Sequence, residues 1–179
     1  MPLEQKKQYT VDDIYALPDG VRAELIDGEM YMMAPPGLTH QNISAFLHNT
    51  IYSYIHSKHG ECVALAAPFA VFLNDDDQTY VEPDISVICD KSKLDEKGCH
   101  GAPDWVIEIV SQSSRSRDYL TKLFKYQTAG VREYWIVDPI SNQVIVYQFE
   151  TGNVASYPFA DEIPVGIYDG DLRLQIKTE

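Results

Sequence analysis

The sequence predicts a mixed α/β domain, a sheet flanked by helices in an α/β or α+β arrangement. Three observations carry this. One long stretch has apolar residues at helical spacing, a shorter one follows near residue 120, and short aliphatic runs bounded by turn residues lie around them. At 179 residues the chain suits one domain, 1–179, large enough to bury a core and too short for two.

The elements follow in order. Thr10 precedes Val11–Leu17 as a helix cap, with Asp12 and Asp13 in the first turn where the helix dipole favours acids. Pro18-Asp19-Gly20 ends this helix. Two apolar arms around Asp27-Gly28 read as a hairpin, closed by Pro35-Pro36-Gly37. A long helix is expected from about His40 to His59, capped by Thr39 and ended by Gly60. Its buried stripe would be Ile43, Phe46, Leu47, Ile51, Tyr54 and Ile55.

Strands are expected at Val63–Leu73, Val81–Cys89 and Trp105–Val110, the last two joined by a polar connection. A second helix over about Arg117–Ala129 stops at Gly130, with Leu120, Leu123 and Phe124 turned to the sheet. Strands Glu133–Val137 and Val144–Phe149 flank the turn 138–142, and Leu172–Lys177 forms a short last strand.

Composition narrows the function. The three cysteines Cys62, Cys89 and Cys99 lack CxxC spacing, so idle thiols in a reducing cytoplasm are expected rather than a disulfide or a zinc site. The start, MPLEQKKQYT, has no apolar core of a secretion signal, and no apolar run approaches the ~18 residues of a membrane span. A net charge of −13 argues against tight nonspecific binding of nucleic acid, which needs a basic surface.

Two acids carry the chemistry. Asp84 opens an aliphatic strand in Glu82-Pro83-Asp84-Ile85, and Glu108 is the one charge within Trp105–Val110. Period-two geometry puts Val106, Glu108 and Val110 on one face. A carboxylate there is costly to bury unless a metal or a cation compensates it. Two such acids on neighbouring strands make a hard oxygen site for Mg²⁺, or alternatively Mn²⁺. A plain salt bridge from Glu108 to a cation of the next helix accounts for it equally well. That helix offers Asp118, Lys122, Lys125 and Tyr126 on one side, and spacing does not choose between the two lysines.

These residues carry a family resemblance. Glu24-Leu-Ile-Asp27-Gly28-Glu29, Pro35-Pro36 with His40, Pro83-Asp84 and Val106-Ile-Glu108-Ile-Val-Ser111 occur in order. The spacing of Asp118, Lys122 and Tyr126 follows, then Gly130-Val-Arg-Glu133-Tyr-Trp135-Ile-Val-Asp138-Pro139. The chain resembles the Uma-two family, within the restriction-endonuclease-like PD-(D/E)XK superfamily, along nearly its whole length. The resemblance implies a restriction-endonuclease-like core with an N-terminal helix and hairpin. It implies that Asp84 and Glu108, with the carbonyl of Ile109, hold Mg²⁺, and that Lys122 orients water or stabilises the transition state. Glu24 corresponds to the superfamily's early helix-borne acid, although here it lies on a hairpin arm. His40, Asp118 and Tyr126 are secondary positions. The motif lysine is absent, since its place is taken by Val110.

Three readings stand at this stage: a Mg²⁺-dependent endonuclease acting on DNA as a homodimer, an inactive binding module of the same fold, and a metal-dependent hydrolase of a smaller phosphorylated substrate. A basic cleft around Asp84 and Glu108 favours the first. A cleft without metal affinity, closed by a Lys122–Glu108 bridge, favours the second.

Overall fold

The computed structural model describes residues 7–178, so part of the N-terminal segment read above for secretion lies outside the described residues. The first element among the described residues is helix α1 (Val11–Tyr15), where the Asp13 carboxylate accepts the Thr10 N–H at 2.9 Å. Strands β1 (Ala23–Ile26) and β2 (Glu29–Met32) pair antiparallel in the expected hairpin. Asp27 and Gly28 both take positive φ at its turn, 50° and 77°, as a tight turn with Asp-Gly requires.

Helix α2 (Leu38–Ser57) starts two residues earlier than the sequence suggests, from Gly37 rather than Thr39. It ends at Lys58, ahead of Gly60, whose N–H returns to the carbonyl of Ile55 at 2.9 Å. Ile43, Leu47, Ile51 and Ile55 are buried as the stripe predicts, with Phe46 and Tyr54 at its margin. Each fully buried aliphatic contributes about 1.5–3 kcal/mol, which fixes this helix against the sheet.

The expected strand Val63–Leu73 is two. β3 (Val63–Ala66) ends at the cis Ala67–Pro68 bond, and β4 (Val71–Phe72) belongs to another sheet. Pro68 has no N–H for a ladder, so a continuous strand cannot cross it. Likewise Pro83 separates the bridge residues Tyr80 and Val81 from β5 (Ile85–Ile88). The polar connection holds a 3₁₀ turn at Lys91–Lys93 and the short strands β6 (Leu94–Asp95) and β7 (Gly98–His100), which join β4 in a three-stranded sheet.

Next comes β8 (Trp105–Ile109), then a π-turn at Arg117–Lys122 that runs into α3 (Leu123–Ala129). Strands β9 (Glu133–Asp138) and β10 (Gln143–Gln148) form a hairpin. A strand missed in the sequence, β11 (Asn153–Pro158), adds to its edge. The tail contributes the small pair β12 (Ile163–Pro164) and β13 (Arg173–Leu174), less than the six-residue strand expected there. The main sheet runs β11-β10-β9-β8-β5-β3, with β8 and β9 parallel and the other pairs antiparallel. One face packs Trp105, Ile107 and Ile109 on the α2 stripe, and the other packs Val106 and Val110 with Tyr126 and Tyr134.

Two expectations are overturned. Cys62 and Cys89 are joined by a disulfide, and only Cys99 is a free thiol among the described residues. The pair lies at the ends of strands paired with Val63 opposite Ile88, so cross-strand neighbours replace CxxC spacing as the relevant proximity. Leu120 and Phe124 do not turn to the sheet; they are 68% and 61% exposed. The polar side of that helix is buried instead.

Candidate active site

Asp84 and Glu108 are brought together by strand register. Ile85 lies opposite Ile107, and the same antiparallel register carried one step further sets Asp84 opposite Glu108, on a common face. Asp84 Oδ2 accepts the Ile109 N–H at 2.6 Å, and Oδ1 contacts His40 Nε2 at 3.1 Å. His40 stands in the first turn of α2, which brings that end of the helix to Asp84. Burial disfavours its charge, but the hydrogen bond to Asp84 and the charges of Asp84 and Asp118 outweigh this and raise its pKa above 6.5.

Glu108 is sealed beneath the π-turn. Its Oε1 accepts from Lys122 Nζ at 2.8 Å and from the Tyr126 hydroxyl at 2.5 Å. Lys122 reaches Glu24 Oε1 at 2.8 Å as well, and Asp118 Oδ1 at 3.6 Å. Burial pushes the Glu108 carboxyl well above its usual range against the pull of Lys122, and the nearby acids push the same way. Burial alone would discharge Lys122, yet the three carboxylates around it hold the ammonium and raise its pKa.

The structure brings Glu24, His40, Asp84, Glu108, Ile109, Asp118, Lys122 and Tyr126 together and leaves Lys125 outside. Glu24 comes from the hairpin, its carboxylate fully buried and also accepting the Glu82 N–H at 3.1 Å. Of the two lysines, Lys122 enters the cluster, and Lys125 pairs with Asp27 at the hairpin turn. Ser111 and Ser114 exchange hydrogen bonds, Ser111 N to Ser114 Oγ at 3.0 Å and Ser114 N to Ser111 Oγ at 3.2 Å, a reciprocal cap at the start of the helix. Arg117 was missed. It stacks 4.9 Å from the Tyr31 ring centroid and lies beside Glu24. A single arginine in a Ser/Arg-rich segment gives no signal that its guanidinium turns inward.

Glu24, His40, Asp84, Glu108, Arg117 and Lys122 line an open cleft of about 260 Å³, with residues 33–37 also on its wall. It is not basic: Glu24, Glu82, Asp84, Glu108 and Asp118 line it against Arg22, Arg117 and Lys122. No group of three or more His, Cys, Asp or Glu among the described residues is arranged to hold a metal. The donor set implied by the resemblance is different, two carboxylates and a backbone carbonyl, and its hard oxygens match Mg²⁺ or Mn²⁺. Both hydrogen bonds of Glu108 fall on Oε1, and Glu24 Oε2 and Asp118 Oδ1 are buried without a hydrogen bond among the described residues. On these observations the residues fit a divalent cation.

The fold is that of a restriction-endonuclease-like domain. A family model described as "Putative restriction endonuclease" (Uma2) matches residues 11–167, and the chain belongs to that family. Its fold is similar to the crystal structure of a putative nuclease belonging to DUF820 from Anabaena variabilis. That match has 23% identity and a TM-score of 0.75, and covers 93% of this chain and 94% of the other. No curated protein matches the chain. No helix among the described residues is long and apolar enough to cross a membrane.

Proposed function

We propose that this protein is a Mg²⁺-dependent endonuclease that hydrolyses phosphodiester bonds in DNA, with Asp84, Glu108 and the Ile109 carbonyl holding the ion. Family membership supports a nuclease. The observation that carries the metal is the charge at the floor of the cleft. Glu24, Asp84, Glu108 and Asp118 face only Lys122 and Arg117 as permanent cations. A divalent cation offsets that surplus, whereas a bare phosphate would be repelled.

A bound Mg²⁺ would lower the pKa of a coordinated water and stabilise charge on the phosphate. The protein groups serve that chemistry from fixed positions. Ile109 N–H and His40 orient Asp84, and Tyr126 orients Glu108. Lys122, arriving from a helix, replaces the motif lysine missing at Val110, because transition-state stabilisation depends on where the charge sits. The reading extends to a homodimer, since enzymes that cut both strands pair their sites by symmetry. It also extends to the cytoplasm, which follows from DNA as substrate; the Cys62–Cys89 bridge removes the thiol argument for it.

A second reading, a binding module without catalysis, is favoured by one observation: the Lys122–Glu108 contact at 2.8 Å closes the bridge expected of an inactive site. Calorimetry with Mn²⁺ and cleavage assays on Glu108→Ala separate the two. The nuclease reading expects metal binding, and loss of cleavage in a variant that remains folded. A protein that binds no divalent ion, with wild type and variant alike in every nuclease assay, is a binding module.

A further inference from the structure

Four cations line the cleft, and three are committed. Arg22 is held by Glu82 through Nε and Nη2. Lys122 is shared among Glu24, Glu108 and Asp118. His40 is on Asp84. Arg117 differs. It makes no hydrogen bond to the protein among the described residues; its Nε is buried without one, and Glu24 Oε2 is 3.8 Å away. The guanidinium is nevertheless held in place, packed over the Tyr31 ring, and the side chain stays 19% exposed at the cleft. A buried donor without an acceptor costs about 1–3 kcal/mol, and a planar fork that is oriented but unbonded suits a bidentate oxyanion.

We propose that Arg117 is the substrate-binding residue that receives the non-bridging oxygens of the phosphodiester, a role the sequence pattern would assign to Lys122. This rests on the nuclease reading for the identity of the substrate, though not for the phosphate. Tyr31 is its positioning residue, setting the plane of the fork. Lys122, beyond its charge at the reacting centre, holds the acids in register.

The test is equilibrium binding, in Ca²⁺ so that hard oxygen donors are filled without relying on turnover. The probes are a fluorescein-labelled single-stranded oligodeoxynucleotide and bis(4-nitrophenyl) phosphate. Arg117→Gln should weaken both at least tenfold and lower the salt dependence of oligonucleotide binding by about one phosphate contact. Arg117→Lys, which keeps the charge and loses the fork, should fall between and stands in if the glutamine variant does not fold. Arg115→Gln, an equal loss of charge two residues away, should change binding less than twofold. Calcium affinity of Arg117→Gln should be unchanged or tighter. Wild-type binding by Arg117→Gln, or equal losses at positions 115 and 117, overturns the proposal. If only the small diester binds and still requires Arg117, the DNA reading fails and the assignment stands. If neither probe binds, both fall.

Discussion

Lys122 Nζ lies 2.8 Å from Glu108 Oε1, with both side chains almost closed to solvent at 4% and 5% exposure. The same ammonium is 2.8 Å from Glu24. It therefore joins the hairpin, the central strand and the helix through one charge.

Removing that charge leaves acids buried without their partner. Lys122→Met is expected to lower stability by about 3–5 kcal/mol, read as a shift in the urea midpoint. The double variant Lys122→Met/Glu108→Gln should regain part of this, because one uncompensated charge goes with the lysine. A loss below about 1 kcal/mol in the single variant would show that the ammonium does not hold the cluster together.

Metal should register as stability. With Mn²⁺ at one hundred times its Kd, the folded state gains about 2.7 kcal/mol, seen as a rise in Tm. Asp84→Asn should show no such rise over the same titration. An equal rise in both proteins would place the ion elsewhere.

Asp138 gives the acid limb of the stability profile. Burial works against its charge, but donors from Tyr119, Ser141 and Ile140 prevail and hold its pKa below 3.8. A depressed folded pKa means the stabilisation is complete above the unfolded value and disappears as pH falls through the folded one. Asp138→Asn should cost about 1–3 kcal/mol at neutral pH, with the difference from wild type shrinking below pH 3.8. Urea midpoints from pH 7 to 2.5 measure this, and a pH-independent difference would contradict it.

The Cys62–Cys89 bridge spans 27 residues of chain, a closure worth about 3 kcal/mol. Dithiothreitol should lower the Tm of the wild type and leave Cys62→Ala/Cys89→Ala unchanged.

Gly98 combines φ 151° with a neighbour that cannot move, since an added Cβ would meet the Ala70 carbonyl oxygen at 2.4 Å. Gly98→Ala should destabilise by about 2–3 kcal/mol. A neutral result in thermal melts would show that the β4–β7 pairing can shift.

Much of this was legible in the residues. Asp27-Gly28 demanded a turn, the Ile43–Leu47–Ile51–Ile55 row demanded a buried helix face, and a lone acid among the aliphatics of β8 announced Glu108. What stayed hidden depends on three-dimensional contact. Glu24 was legible as a site acid only through the family resemblance, because nothing local says that Lys122 will reach it. Cys62 and Cys89 gave no motif because their proximity is set by strand pairing. Leu120 and Phe124 misled because apolar spacing ordinarily marks the inner face of a helix. Here the desolvated ammonium and carboxylates claim that face, leaving the hydrophobes outside.

That reversed helix begins with a π-turn at Arg117–Lys122, and its consequence is a tolerance of chain length. An α-helical row of every fourth residue drifts across the helix surface; the wider turn counters the drift, and Asp118, Lys122 and Tyr126 all point toward Glu108. Six residues of the wide turn cover about the same rotation as five α-helical ones. Deleting Leu120, which faces outward, would let the segment rewind to an α-helix with Lys122 and Tyr126 still directed inward. Asp118 and Lys122 would then stand three residues apart, a spacing that keeps them neighbours on one side of the helix.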